Sequence, residues 1–251
     1  MSAPSVLFER SGVVAMVKPS GLATQAAPGI PSVESWLRER LHGGSPRGYV
    51  GVPHRLDRAV TGILLMASTP RAARQLSRQF ERRQITKTYL AIMASPSVRP
   101  PEFDRLASAG SAGLDWQDML VKIPEEARAE LADATTPGAR SAVTRAVLCG
   151  EIRNDQAPPD STTRWLLRLE PVTGRMHQLR VQAAARGLPI LGDALYGGPG
   201  RWCPLPPPSD REEPIALHAW RIEYHDPDSG EAVTAEAALP DFWPAAVRDL
   251  A

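Results

Sequence analysis

Asp57 stands between Arg55 and Arg58 in VPHRLDRAVTGILLMA, residues 52–67, and the chain then runs Ile63-Leu64-Leu65-Met66-Ala67 without a charge. A carboxylate held by guanidinium groups stays ionised, because opposite charge favours the charged form. Fixed and partly desolvated, it can act as a nucleophile or stabilise a developing cation. The same residues also suit a salt bridge that anchors a loop at the mouth of a buried strand. A second polar segment, TGRMHQLR at 173–180, sets Arg175, His177, Gln178 and Arg180 at the opening of a helix. His177 and Arg180, three apart, share one face. Helix N-termini and arginine forks suit carboxylates or phosphates, although a polar helix start on the surface reads the same way. Tyr89 is the third candidate; taken alone it reads as a core tyrosine with a satisfied hydroxyl.

These residues need elements to hold them. Val6–Phe8 and Val13–Lys18 read as a hairpin around Arg10-Ser11-Gly12, stopped by Lys18-Pro19-Ser20-Gly21. Ser32 is placed to cap a helix with Val33, Trp36, Leu37 and Leu41 on its apolar face. Behind Asp57, Gly62–Ala67 predicts a buried strand. Pro70 then opens a helix whose apolar face is Ala73, Leu76 and Phe80. Lys87–Met93, carrying Tyr89, returns to strand character. Residues 95–140, rich in Ala, Ser, Pro and Gly with weak periodicity, read as loops and short strands. Arg164–Leu169 predicts a strand, Met176–Arg186 a helix closed by Gly187, and 198–214 a proline-rich surface loop. Ile215–Tyr224 and Ala232–Ala237 complete the strands, turning at 226–230. The elements lack a regular strand-helix-strand rhythm, so the pattern predicts an α+β fold. Its sheet is mixed and largely antiparallel, with helices packed against it, in a single domain over 1–251.

Composition narrows the class. The 251 residues can bury a full core, and 43% hydrophobic with 23% charged residues is a globular balance. No apolar stretch nears the ~18 residues a membrane span needs, and the N-terminus lacks a signal-peptide pattern. Two cysteines, Cys149 and Cys203, make neither a disulfide framework nor a CxxC. The cytoplasm is the default compartment and a monomer the default state. A net charge of +1 says little, but its distribution says more. Arg71, Arg74, Arg78, Arg82, Arg83 and Lys87 share a short stretch with one acid, Glu81. Such a basic face can bind a polyanion, or be a solvated helix face. No GxxxxGK[ST] or GxGxxG is present, so nucleotide-cofactor chemistry has no support.

In combination the segments follow a known order. HRLDRAVTGILLMA resembles the catalytic motif of the RluA-type pseudouridine synthases, whose usual form is HRLDxxTSGLLL. FERRQITKTYLAIMAS is similar to the next block of that family, and TGRMHQLRVQAAARGLPILGDALYGG to the third. VVAMVKPSGLATQ resembles its N-terminal strand and turn, and PIALHAWRIEYHDPDSGE its closing block. The five blocks cover most of the chain, in order.

The resemblance implies a pseudouridine synthase fold with a central RNA-binding cleft. It also implies a reaction in which uracil's glycosidic bond breaks, the bound base rotates, and it is rejoined through carbon 5. No metal and no organic cofactor are implied. Asp57 would be the essential carboxylate, either attacking the anomeric carbon or serving as base and charge stabiliser. Arg180 would hold it ionised, with Arg175 in support, and Tyr89 would stack on the target uracil. A stacked uridine must leave its helix first, and Arg55 matches the position that fills the vacated space. His54 would support the same loop. Arg58, His177, Gln178, Arg74, Arg78, Arg82 and Lys87 join the expected contacts to ribosomal or transfer RNA. On this resemblance the small N-terminal RNA-binding domain of many members is expected to be absent, and target choice is expected to rest on the catalytic domain.

The chain departs from the pattern within Ala59-Val60-Thr61: where members carry TSG it reads Val60-Thr61-Gly62, losing a threonine and replacing serine by threonine. It also departs at Gln182, where they carry histidine. Two other readings are possible: a catalytically silent RNA-binding or RNA-folding protein on this scaffold, and a metal-dependent hydrolase using His54, Asp57, His177, Asp193 and His218. The histidines lack metal-ligand spacing. A sugar-cleaving enzyme would need a second carboxylate; Asp193 is the nearest candidate and is expected instead to hold a loop.

Overall fold

The computed structural model describes residues 3–43, 45, 47–94, 99–152, 164–200 and 213–248. Along the chain its elements are β1 (Ser5–Arg10), β2 (Val13–Lys18), α1 (Val33–His42), β3 (Thr61–Ala67), α2 (Pro70–Glu81), β4 (Thr86–Ala94), α3 (Pro101–Ala109), β5 (Leu114–Lys122), β6 (Ala129–Ala132), β7 (Arg140–Ile152), β8 (Arg164–Pro171), α4 (Gln178–Ala185), β9 (Leu217–His225), β10 (Ala232–Glu236) and α5 (Ala245–Arg248). The fold is α+β. Two compact units divide the chain: the first holds residues 3–87 and His218–Pro240, the second most of the rest from Thr88 onward.

In the first unit β2 pairs antiparallel with β1 and β3, while β3 meets β9 in parallel through Thr61 and Gly62 opposite His218 and Ala219. β10 returns antiparallel on β9. Every residue of β3 is buried, which explains its unbroken apolar run. Gly62 sits at φ 117°, where a side chain would run into the Ala219 carbonyl, so this crossing of β3 and β9 requires glycine. Ser32 caps α1 as expected, in a reciprocal box with Ser35, and Gly43 ends it in the left-handed conformation.

Helix α2 is capped by Thr69, whose hydroxyl accepts the Ala72 N–H at 3.2 Å, with Pro70 in the first turn. Its most buried face is Ala72, Leu76 and Gln79 rather than Ala73, Leu76 and Phe80. The shift has a polar cause. The Gln79 amide donates to the His225 carbonyl and accepts the His225 N–H, both at 2.8 Å, and so completes the end of β9.

The second unit carries the antiparallel order β4, β8, β7, β5, β6. Here the reading of 95–140 as loops and short strands is met only in part: β6 is a four-residue strand, but the region is more regular than expected. α3 and the nine-residue β5 lie within it, and β7 is a 13-residue strand. β7 carries Ser, Thr, Arg and Gly among its apolar residues, so local patterning understates a strand that two long-range partners hold. Helix α4 begins at Gln178, two residues later than expected, because His177 is left-handed at φ 51° and cannot belong to a helix. Gly187, at φ 70°, follows its end as expected. Most of the 198–214 loop, with Cys203, lies outside the described residues.

Candidate active site

In the first unit the loop bearing Asp57 is gripped through its backbone on both sides of that residue. Thr24 Oγ1 donates to the Leu56 carbonyl at 2.9 Å and accepts the Leu56 N–H at 3.1 Å. The Arg58 carbonyl accepts from Gly21 N–H at 2.9 Å and from Lys18 Nζ at 3.0 Å. Val60 N–H closes the turn on the Asp57 carbonyl at 3.1 Å. The turn Lys18–Thr24 therefore grips the residues before and after Asp57, and the Asp57 side chain stands half-buried between them.

Lys18 is fully buried, and its ammonium also donates to the carbonyls of Pro19 at 2.7 Å and Leu22 at 2.8 Å. All three of its protons are thus used. Burial brings its pKa down to about 7, the nearby Asp57 charge opposing that fall and Arg58 adding to it. The sequence reading takes Lys18 only as a strand end. The signal is a lone charge closing the apolar run VVAMVK immediately before a turn.

The neighbouring residues divide between support and exposure. His54 Nε2 accepts the Leu65 N–H at 2.9 Å, which puts the proton of the neutral ring on Nδ1, and the ring packs 4.6 Å from Phe80. Burial first, and Lys87 second, push its pKa down to about 3. Lys87 is itself lowered to about 8 by burial. Arg58 Nη1 donates to the Gly21 carbonyl at 3.2 Å, whereas Arg55 is exposed. Thr61, where the chain leaves its motif, lies 2.7 Å from the Nδ1 of fully buried His218. His218 Nε2 lies 3.1 Å from the Ala237 carbonyl, which can only accept, so Nε2 carries the proton and Nδ1 accepts from Thr61. Burial lowers this ring's pKa to about 4. The substitution thus keeps a hydroxyl that ties the loop's exit to β9.

Two neutral histidines make the first unit acid-sensitive. An unfolded histidine takes a proton near pH 6.5, while His54 and His218 refuse one until about 3 and about 4. Between those values the unfolded chain binds more protons, so stability falls as pH falls, by up to about 1.4 kcal/mol per pH unit for each ring. Urea midpoints measured between pH 7.5 and 4.5 are expected to be flat above 6.5 and to drop below it. His218→Gln should flatten the slope; an unchanged slope would contradict the assignment.

Arg74 and Arg78 on α2 and Arg82 at its C-cap recur every four residues and are exposed. They form no ion pair among the described residues, while Arg71 pairs with Asp228 at 2.9 Å.

In the second unit Arg180 is buried and forks onto Asp193: Nε to Oδ2 and Nη2 to Oδ1, each 2.7 Å. Its guanidinium lies 5.0 Å from the Tyr196 ring centre. The Asp193 carbonyl accepts from Tyr196 and Gly198 N–H, at 3.1 and 2.8 Å, so the aspartate holds its loop as expected. His177 Nδ1 sits 2.8 Å from Tyr196 Oη, which also accepts the Ala129 N–H at 3.0 Å. Arg175 Nε donates to the Ser141 carbonyl at 3.0 Å. Tyr89, on β4 opposite Leu169, is half-buried.

Gln178 is buried, and both ends of its amide are engaged internally. Its oxygen accepts from Thr173 Oγ1 at 2.7 Å and Arg175 N–H at 3.0 Å; its nitrogen donates to the Val143 carbonyl and Thr144 Oγ1. Thr144 continues to Gln182 Oε1 at 2.6 Å, and Gln182 Nε2 donates to Asp118 at 2.7 Å. The second departure from the motif is therefore part of an internal network that fixes α4 against β5 and β7. Among the described residues no group of three or more His, Cys, Asp or Glu is gathered as metal ligands.

A family model described as RNA pseudouridylate synthase matches residues 12–185. The ribosomal large subunit pseudouridine synthase D of Xanthomonas campestris pv. campestris is 32% identical over 94% of the chain, which spans 66% of that protein's length. The dual-specificity RNA pseudouridine synthase RluA of Yersinia pestis is 33% identical over 77% of the chain and 82% of its own length. A solved structure, human RNA pseudouridylate synthase domain containing 4, has the same fold with a TM-score of 0.65 at 23% identity, covering 94% of this chain and 89% of that one.

Proposed function

The chain belongs to the RNA pseudouridylate synthase family, and we propose that it converts uridine in RNA to pseudouridine with Asp57 as its essential carboxylate. The observation that carries this reading is the backbone grip on Leu56 and Arg58, which fixes the half-buried carboxylate between them. A preorganised charge of this kind favours a transition state in which charge develops at a defined atom. Here that atom is the anomeric carbon as uracil departs. The C1′–N1 bond breaks, the base turns, the C1′–C5 bond forms, and the proton on carbon 5 is lost while N1 gains one. We assign Tyr89 to stacking on the uracil and Arg180 to the charge of the same reaction. Its fork on Asp193 keeps it oriented.

We assign Arg55, exposed beside Asp57, to the space left by an extruded base. The Arg74, Arg78 and Arg82 face is suited to RNA phosphates. His54, Arg58 and Gln178 make their described contacts inside the protein, so we assign them to holding the loops that present Asp57 and Arg180. We place the enzyme in the cytoplasm as a monomeric single catalytic domain. The names of its relatives make ribosomal RNA the first substrate to try; we take transfer RNA as the second. Nothing in the geometry favours the catalytically silent alternative. RNA transcripts labelled with tritium at uridine carbon 5 are expected to release tritium on incubation with the purified protein. No release from either ribosomal or transfer RNA would overturn the proposal.

A further inference from the structure

In the second unit, strands β5 and β7 and the turn before α4 enclose a small basic groove. Antiparallel register sets Arg140 opposite Leu120, and Lys122 lies two residues along the same face of β5. Arg175 and Met176 close the other side, leaving a concavity of about 160 Å³. Its lining holds three cations, Lys122, Arg140 and Arg175, and no carboxylate. Lys122 and Arg140 are exposed and form no ion pair among the described residues. The floor is apolar: Leu120 belongs to a buried cluster against which Met176 and Tyr196 both pack, and Tyr196 is the ring beneath the Arg180 guanidinium.

Uncompensated cations around an apolar floor match a nucleotide, which offers a phosphate and a flat base together. At this size, well below the 300–1,000 Å³ of drug-sized pockets, the groove seats one such group at a time. It adjoins the cluster on which Tyr196 packs, and Tyr196 lies beneath the Arg180 guanidinium. We propose that the groove is a subsite for an unpaired nucleotide next to the target uridine, with Lys122 and Arg140 each taking a backbone phosphate and Leu120 and Met176 underlying the base. The subsite rests on the proposed reaction for its meaning but not for its test.

The test compares the wild-type protein with the double variant Lys122→Ala/Arg140→Ala, both checked for an unchanged melting temperature, by titrating a fluorescein-labelled single-stranded oligouridine across a salt series. Losing two phosphate contacts is expected to weaken binding about tenfold at low salt and to reduce the slope of log K against log[salt] by about 1.4. The charge-keeping pair Lys122→Arg/Arg140→Lys should restore most of that slope. On RNA that the wild type modifies, the double alanine variant should raise KM far more than it lowers kcat. An unchanged salt slope would overturn the subsite. So would binding of a polyglutamate peptide of matched charge as tight as that of the oligouridine, which would mark a surface for acidic protein segments. If the wild type binds the oligouridine with the expected slope change yet modifies no RNA, the subsite stands and the proposed reaction fails.

Discussion

Asp57→Asn is expected to lower pseudouridine formation by at least about a thousandfold while leaving RNA affinity within a factor of about three. The loss follows from charge. The amide keeps the shape of the side chain but cannot place a negative charge against the anomeric carbon. The fold should survive, because the loop is held by Thr24, Gly21 and Lys18 acting on the backbone of Leu56 and Arg58. One change beyond activity is expected. Asp57 favours the protonated form of Lys18, so its removal should push that already lowered pKa further down. Single-turnover rates, filter binding and thermal melts on the same preparation separate these effects. A variant that keeps wild-type turnover would remove Asp57 from the chemistry; one that loses turnover only by unfolding would make it structural.

Asp193→Ala should have the largest effect on stability. It removes the carboxylate onto which the buried Arg180 guanidinium is forked by two 2.7 Å hydrogen bonds. Breaking a buried pair from one side costs about 3–5 kcal/mol, mostly because the remaining charge stays desolvated. For a chain of this length that corresponds to a melting temperature lower by roughly 10 °C. Turnover should fall as well, since Arg180 loses the partner that orients it. Asp193→Asn, which keeps one hydrogen-bond acceptor, should fall between the two. A melting temperature within about 2 °C of wild type for the alanine variant would show that the fork contributes little.

What the sequence makes legible follows physical range. The apolar run of β3, the Ser32 cap of α1 and the Pro70 start of α2 are local signals, and the structure forms each of them where expected. β5 and β7 escape such reading because their stability lies in pairing with distant strands; β7 alternates exposed and buried positions while carrying polar residues among them. The same division runs through the candidate site. Asp57, Tyr89 and Arg180 are visible through motifs. The contacts that hold Asp57 and Arg180 are less so, because they join side chains to groups far along the chain. Lys18 reaches the carbonyl of a residue 40 positions away, and Thr24 that of one 32 positions away. Such bonds leave no periodicity. Of the departures from the motif, which in the sequence bear on local packing and target choice more than on catalysis, Thr61 and Gln182 turn out to be internal hydrogen-bonding groups: Thr61 on His218, and Gln182 between Thr144 and Asp118.

The most direct measurement is a pseudouridine map, at single-nucleotide resolution, of ribosomal and transfer RNA from cells that lack this gene and are supplied with either the wild-type chain or Asp57→Asn at equal protein levels. One or more discrete uridines should carry the modification with the wild type and lack it with the variant. Identical maps from the two, each with the variant folded and present, would contradict the assignment of Asp57 and with it the proposed reaction.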